Sequence, residues 1–236
     1  SGAVAPLWFT VAVPEDAKAG RYCGTVTVSA DGLDETNVSL ELEVSAWMLA
    51  DANDLRIRTL AAISPENVAK YYGVEFWSDR HFELLGQVFR LMADVGSRRV
   101  EINLATNFHG VPGNSQSVVR WIKKEDGGYD YDFSVLEKFL DCVAESIGSP
   151  RPLRLNCWGM AADQRGNKGW GKYVTVIDPK TGELSRLEQP AVGSEESVAF
   201  WKPVIDGIRQ RVSKRGWEEL TTMGFQSYCW NPTPPT

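Results

Sequence analysis

The stretch DFSVLEKFLDCVAESIGSPRPLRLNCW, residues 132–158, gives the clearest indication of the fold class. Its first part, 132–147, has the pattern of a helix, and its last part, 153–158, has the apolar pattern of a strand. A helix of this length next to such a strand is typical of the parallel βα repeat, in which helices cover a sheet of parallel strands.

The same alternation of strands and helices extends along the chain in both directions. Further strands are predicted at 55–63, 99–104 and 220–225, and further helices from Ser64-Pro65-Glu66, over 78–95 and over 194–214. Two hairpins are predicted between these elements, 118–122 with 129–131 and 173–177 with 184–187. The four βα units predict parallel strands that are neighbours in chain order.

These units predict an α/β domain over residues 51–236. A closed (β/α)8 barrel needs eight units and about 250 residues, so four units correspond either to half a barrel or to a small open sheet. The hairpin excursions follow the strands, where barrel enzymes carry their active-site loops. This placement favours the first half of a (β/α)8, or TIM, barrel.

Residues 1–50 have a different pattern. Segments 7–13, 22–28 and 36–44 are rich in strand formers, and Asp31-Gly32 marks a tight turn between the last two. We therefore predict three antiparallel strands. Because a two-layer sandwich uses about seven strands, we expect an incomplete β-sandwich segment, and we expect the chain to be part of a longer protein.

The composition excludes several classes of partner. The chain has 43% hydrophobic residues, 24% charged residues, a net charge of -6 and no run of basic residues, so we expect a globular protein that binds no nucleic acid. No apolar stretch approaches the roughly 18 residues of a membrane span, and no membrane insertion is expected. Four widely spaced cysteines and the absence of phosphate-binding or metal-ligating motifs predict no metal and no cofactor. The oligomeric state stays open.

Four segments carry a resemblance to a known family: PLWFTVAVPEDAKAGRYCGTVTV (6–28), YGVEFWSD (72–79), VRWI (119–122) and DFS (132–134). With them the chain resembles an incomplete N-terminal part of glycoside hydrolase family 123 proteins and their uncharacterised bacterial relatives. The resemblance implies a β-sandwich followed by a barrel, and a secreted, periplasmic or cell-surface location. It also implies N-acetylhexosaminidase-like chemistry, with an Asp-Glu pair and the substrate's acetamido group as nucleophile.

The catalytic pair that the resemblance implies cannot be assigned to residues of this chain. After the fourth predicted strand the sequence reads GFQSYCW (224–230), without adjacent carboxylates, and the other predicted strands also end without an acidic residue. Glu101, inside its strand, and Asp163, in a loop, are interpreted as structural or solvated carboxylates. The catalytic residues stay unassigned, and we expect the isolated chain to be inactive.

Five residues at or beyond the ends of the second and third strands are candidates for binding a sugar: Asn103, Asn107, His109, Asn156 and Trp158. Amides bond to sugar hydroxyls and an indole stacks on the apolar face of a pyranose. The alternative is that Asn and His serve as ordinary loop residues. Elsewhere, His81 is interpreted as packing or as part of a solvated helix face. The tryptophans interpreted as core or domain-junction residues are Trp8, Trp47, Trp77 and Trp201.

Three functional hypotheses follow from these patterns. The first is a glycoside-hydrolase-like protein whose longer parent acts on a carbohydrate, with an N-acetylhexosaminide as one candidate substrate. The second is a non-catalytic carbohydrate-binding or surface protein with a degenerate barrel. The third is an open α/β domain of unrelated function.

Overall fold

A computed structural model describes residues 4, 6–52, 54–55, 63–106, 114–159 and 171–226. The chain divides into two compact units, Ser1–Asp51 and Ala52–Thr236.

The first unit contains one β-hairpin. Strand β1, Gly20–Val28, pairs antiparallel with β2, Thr36–Val44, from the pair Gly20 and Val44 to the pair Val28 and Thr36. Gly32, with a φ of 79°, supplies the left-handed residue of the connecting turn. The predicted third strand is wrong, since residues 7–13 are described and form none. A strand pattern becomes a strand only where a neighbour accepts its backbone hydrogen bonds, and no described segment pairs with 7–13.

The second unit contains four helices within its described residues. They are α1 (Pro65–Tyr72), α2 (Asp79–Asp94), α3 (Ser134–Ile147) and α4 (Glu195–Lys214). Three of them begin after a serine whose hydroxyl accepts a backbone N–H three residues later: Ser64, Ser78 and Ser194. Helix α3 begins two residues later than predicted, because the carboxylate of Asp132 accepts a hydrogen bond from the Ser134 N–H at 2.8 Å and Asp132 itself ends a strand.

Three parallel strands form the first sheet of this unit, in the order β3 (Val100–Asn103), β6 (Leu153–Gly159) and β9 (Thr221–Gln226). A short 3-10 helix, Glu218–Leu220, precedes β9. The predicted parallel pairing in chain order is confirmed for these three strands. The first predicted strand, 55–63, falls almost entirely outside the described residues, and the half-barrel stays a prediction.

The two predicted hairpins are confirmed, and they join into one sheet. Strand β4, Arg120–Lys123, pairs antiparallel with β5, Tyr129–Asp132, and β7, Tyr173–Ile177, pairs antiparallel with β8, Leu184–Glu188. Strands β4 and β7 pair in parallel, so the sheet order is β5-β4-β7-β8. This joining was not predicted, because neither hairpin's sequence shows that its outer edge meets another hairpin.

The core of the second unit lies between the parallel sheet and the helices. Alternate strand residues such as Ile102 and Leu155 are buried together with Leu85 of α2, Leu136 of α3 and Ile208 of α4. Among the tryptophans, Trp77 and Trp201 are buried as predicted, whereas Trp8 and Trp47 are 92% and 71% exposed and are not core residues of the first unit; a domain-junction role for these two stays a prediction. No helix in the described ranges is long and apolar enough to cross a membrane.

Candidate functional site

Two asparagines on neighbouring parallel strands meet at the carboxyl end of β3. Asn103, the last residue of β3, lies in register with Asn156 of β6, and the Asn156 Nδ2 donates to the Asn103 Oδ1 at 3.0 Å. The next ladder bond, from the Leu104 N–H to the Asn156 carbonyl, is 2.9 Å long. Both side chains are buried. The structure therefore brings together these two residues of the predicted sugar-binding set.

The amide pair leaves one acceptor unused. Among the described residues, the buried Asn156 Oδ1 has no hydrogen-bond partner. The same holds for the Thr106 Oγ1 and the Asn114 Oδ1, which lie before and after residues 107–113. A buried carbonyl oxygen without a donor costs roughly 1–3 kcal/mol. The chemistry of this oxygen suits a donor such as a hydroxyl group.

A β-bulge separates Asn156 from Trp158. Strand β9 pairs Gly224 with Asn156 and the very next residue with Trp158, so Cys157 is the extra residue of β6. A bulge shifts the alternation of side chains by one position. The indole of Trp158 accordingly packs edge-on against Trp201 of α4, with ring centroids 6.4 Å apart, while the amide of Asn156 turns to Asn103. Trp158 is partly exposed. Asn107 and His109 lie outside the described residues.

Gln189, a residue that the sequence did not single out, contacts the bulge directly. Its side-chain Nε2 donates to the carbonyls of Cys157, at 3.4 Å, and of Gly171, and its Oε1 accepts the indole N–H of Trp201 at 3.0 Å. Its backbone N–H also donates to the Lys172 carbonyl at 2.9 Å. A lone glutamine after a strand carries no pattern that could have predicted these contacts.

Glu101 lies on the same strand face as Asn103, two residues earlier. Its carboxylate contacts the guanidinium of Arg99 and, at 3.9 Å, that of Arg154, and its side chain is 14% exposed. A carboxylate engaged by two guanidinium groups joins adjacent strands, which is the structural role interpreted from the sequence. Asp163 lies outside the described residues.

Glu66, at the start of α1, anchors the segment that begins at Asn114. Its carboxylate accepts the Ser115 N–H at 2.5 Å and pairs with Lys70 at 2.9 Å. Burial by itself would raise the pKa of Glu66, but the hydrogen bonds from Lys70 and Ser115 lower that pKa below its ordinary value of 4.5. The backbone next to Asn114 is therefore tied to α1.

His81 is a fully buried link between helices. Its Nδ1 accepts the Trp77 N–H at 3.1 Å, and its Nε2 lies 2.8 Å from the Pro65 carbonyl, to which it donates in the neutral tautomer. Burial lowers the pKa of the imidazole below its ordinary value of 6.5. The packing interpretation of His81 is confirmed, and the solvated-face alternative is not.

Two buried thiols are inert. Burial raises the pKa of Cys157 to about 12 and that of Cys142 to about 11, so each stays protonated and poorly nucleophilic at neutral pH. In the described part of the chain no group of three or more His, Cys, Asp or Glu side chains could hold a metal ion.

The second unit matches known proteins over most of its length. The family model of the glycoside hydrolase 123 catalytic domain matches residues 63–229. A solved family 123 glycoside hydrolase from Clostridium perfringens, whose structural analysis concerns glycolipid glycan hydrolysis, superposes with a TM-score of 0.64 over 89% of this chain at 17% identity. The match covers 36% of that protein, so this chain spans about a third of its length. At this identity the likeness shows a shared fold. No curated protein matches the chain.

Proposed function

This chain belongs to glycoside hydrolase family 123, and from that premise we propose that the protein acts on a carbohydrate, with an N-acetylhexosaminide as the substrate class. The family match covers all three strands of the parallel sheet and the amide pair at their ends. The proposal concerns the whole protein to which residues 1–236 contribute, because the match covers only 36% of the solved relative.

The observation that carries the proposal is the Asn103–Asn156 pair with its unused acceptor. Parallel strands present their carboxyl ends at one edge, and α/β proteins bind their ligands there. An amide pair offers neutral donors and acceptors, which match the hydroxyl and acetamido groups of a sugar. The bulge turns Trp158 toward Trp201 rather than toward this pair, so Asn107 and His109 would accompany the two amides from the set that the sequence predicts.

We propose that the second unit is part of a (β/α)8 barrel. The three parallel strands would be consecutive strands of a (β/α)8 barrel, with residues 51–236 as its first half. Residues 1–50 would form part of a β-sandwich that precedes it. The two hairpin excursions follow β3 and β6, where barrel enzymes place substrate-binding loops.

Catalysis by residues 1–236 alone is not part of this proposal. Glycoside hydrolysis needs two carboxyl groups, about 5 Å apart for a covalent nucleophile or roughly 6.5–9.5 Å apart when water attacks. In the described residues, β3 ends in the amide Asn103, its partner Asn156 lies three residues before the end of β6, and Glu101 is engaged by two arginines. This observation also favours a second candidate function, a carbohydrate-binding protein without catalysis.

Sugar binding is tested by titration calorimetry of the chain with N-acetylhexosamine oligomers. We expect Asn156→Ala to weaken binding by about tenfold or more, the effect of removing one buried polar contact worth roughly 1.5 kcal/mol. Asn67→Ala, an exposed amide on α1, is the matched control and should leave the affinity unchanged. Equal affinities of the wild type and the folded Asn156 variant would contradict the proposed site.

Hydrolysis is tested separately with aryl N-acetylhexosaminides. We expect the isolated chain to show no turnover above background, because no paired carboxylates lie at the described strand ends. Turnover that disappears in Glu101→Gln would assign that carboxylate a catalytic role and overturn this part of the proposal. A longer protein that contains residues 1–236 and hydrolyses these substrates would favour the hydrolase over the non-catalytic alternative.

A further inference from the structure

Gln189 connects three parts of the second unit through one side chain. Its Nε2 reaches the carbonyls of Cys157, in the bulge of β6, and of Gly171, just before β7, while its Oε1 holds the indole N–H of Trp201 on α4. The amide thereby uses both its donor and its acceptor groups, and none of these contacts is to a sequence neighbour. A fully satisfied, partly buried amide of this kind specifies a single local arrangement.

The Gln189 side chain bonds to residues on both sides of segment 160–170. Residues 160–170 separate Cys157 and Gly159 on one side from Gly171 on the other, and Gln189 bonds to a carbonyl on each side. The backbone of Gln189 adds a bond to Lys172, next to the pairing of β7 with β8. Gln189 therefore joins the hairpin sheet to the carboxyl end of the parallel sheet.

The bulge that Gln189 contacts decides which way two neighbouring residues face. With Cys157 as the extra residue, Asn156 lies beside Asn103 and Trp158 packs on Trp201. Without the bulge, regular alternation would put residues 156 and 158 on the same face. The carbonyl of the bulged residue is the group that Gln189 holds.

We propose that Gln189 is a positioning residue of the sugar site: it holds the bulge at Cys157, and so keeps the Asn156 amide against Asn103 at the edge where the ligand binds. The role in sugar binding rests on the proposed function. The role in holding the bulge does not, and it is measurable on its own.

The thiol of Cys157 reports on the bulge. It is fully buried, so iodoacetamide modifies it only when the carboxyl end of β6 opens. Cys142, buried between α2 and α3, is the internal reference for opening of the whole unit. The measurement uses a Cys23→Ser, Cys229→Ser background and peptide mass mapping, which gives the two rates separately.

We expect Gln189→Leu to raise the modification rate of Cys157 by about tenfold while that of Cys142 stays within about twofold, since only the local opening loses its hydrogen bonds. Gln210→Leu, an exposed glutamine on α4, is the matched control and should change neither rate. An equal rise at both thiols would show a general structural role and overturn the proposal, as would no rise at Cys157.

A double-mutant cycle tests the link to the ligand, again with N-acetylhexosamine oligomers as the probe. If Gln189 acts through Asn156, Gln189→Leu weakens binding in the wild type but not in the Asn156→Ala background. Additive losses would overturn the positioning role. If the wild type binds no oligomer, the proposed function fails, and the Cys157 rates still decide whether Gln189 holds the bulge.

Discussion

Acidification should destabilise the protein through His81. The ring is fully buried among Phe76, Trp77 and Phe82, and it is bonded on both sides to backbone groups, the Trp77 N–H and the Pro65 carbonyl. Protonation adds a hydrogen to Nδ1, which then faces the Trp77 N–H instead of accepting from it. Trp77 has a left-handed φ of 67°, a conformation that costs energy for a bulky residue, and this hydrogen bond helps to hold it.

The sign of the effect follows from the direction of the pKa shift. Burial lowers the pKa of His81 in the folded state, so below its ordinary value of 6.5 the unfolded chain binds more protons than the folded one. The free energy of unfolding therefore falls as the pH drops below 6.5, with a slope of up to about 1.4 kcal/mol per pH unit for one proton. Above that pH, His81 contributes no slope. The nearby carboxyls Glu66 and Asp79 have lowered pKa values and stay ionised in this window.

Urea unfolding at pH values from about 5 to about 7.5 measures this slope. His81→Gln should remove most of it and should also lower stability near neutral pH by about 1–3 kcal/mol, because a buried donor and acceptor lose their partners. The chain has two histidines, so His109→Gln is the matched control and should keep the slope. A slope that persists in His81→Gln, or stability that rises toward pH 5, would show that His81 is not the group whose protonation destabilises the fold.

Three further predictions concern stability and local structure. Leu85→Ala, at a fully buried position of α2, should cost about 2–5 kcal/mol in the free energy of unfolding; a loss below about 1 kcal/mol would contradict the packing described. Gly207→Ala should lower the melting temperature despite the better helix propensity of alanine, because its Cβ would lie under 3 Å from the Phe133 ring; an unchanged melting temperature would show that the ring moves freely. Glu66→Gln should speed amide exchange at Ser115 and cost about 1 kcal/mol, and unchanged exchange at that amide would show that the carboxylate is not its anchor.

Much of the second unit could be predicted because its elements carry their own local signals. Serine caps and apolar periodicity placed the helices, and the hairpins at β4–β5 and β7–β8 followed from alternation and turn residues. Because β3 and β6 are parallel, Asn103 and Asn156 lie toward the same edge of the sheet. The segment 7–13 shows the limit of such signals, since its strand pattern finds no partner among the described residues.

Local patterns in the sequence predict the order and type of the βα elements, the direction of the three parallel strands and the neutral amides near the carboxyl ends of β3 and β6. These properties depend on residues close together in the chain, whose periodicity and caps act locally. Three features are visible only in the folded chain: the two hairpins form one sheet, a bulge at Cys157 sends Asn156 and Trp158 to different neighbours, and Gln189 bonds to that bulge. Each of these depends on hydrogen bonds between groups brought together by folding, and such pairings have no periodic trace in the sequence.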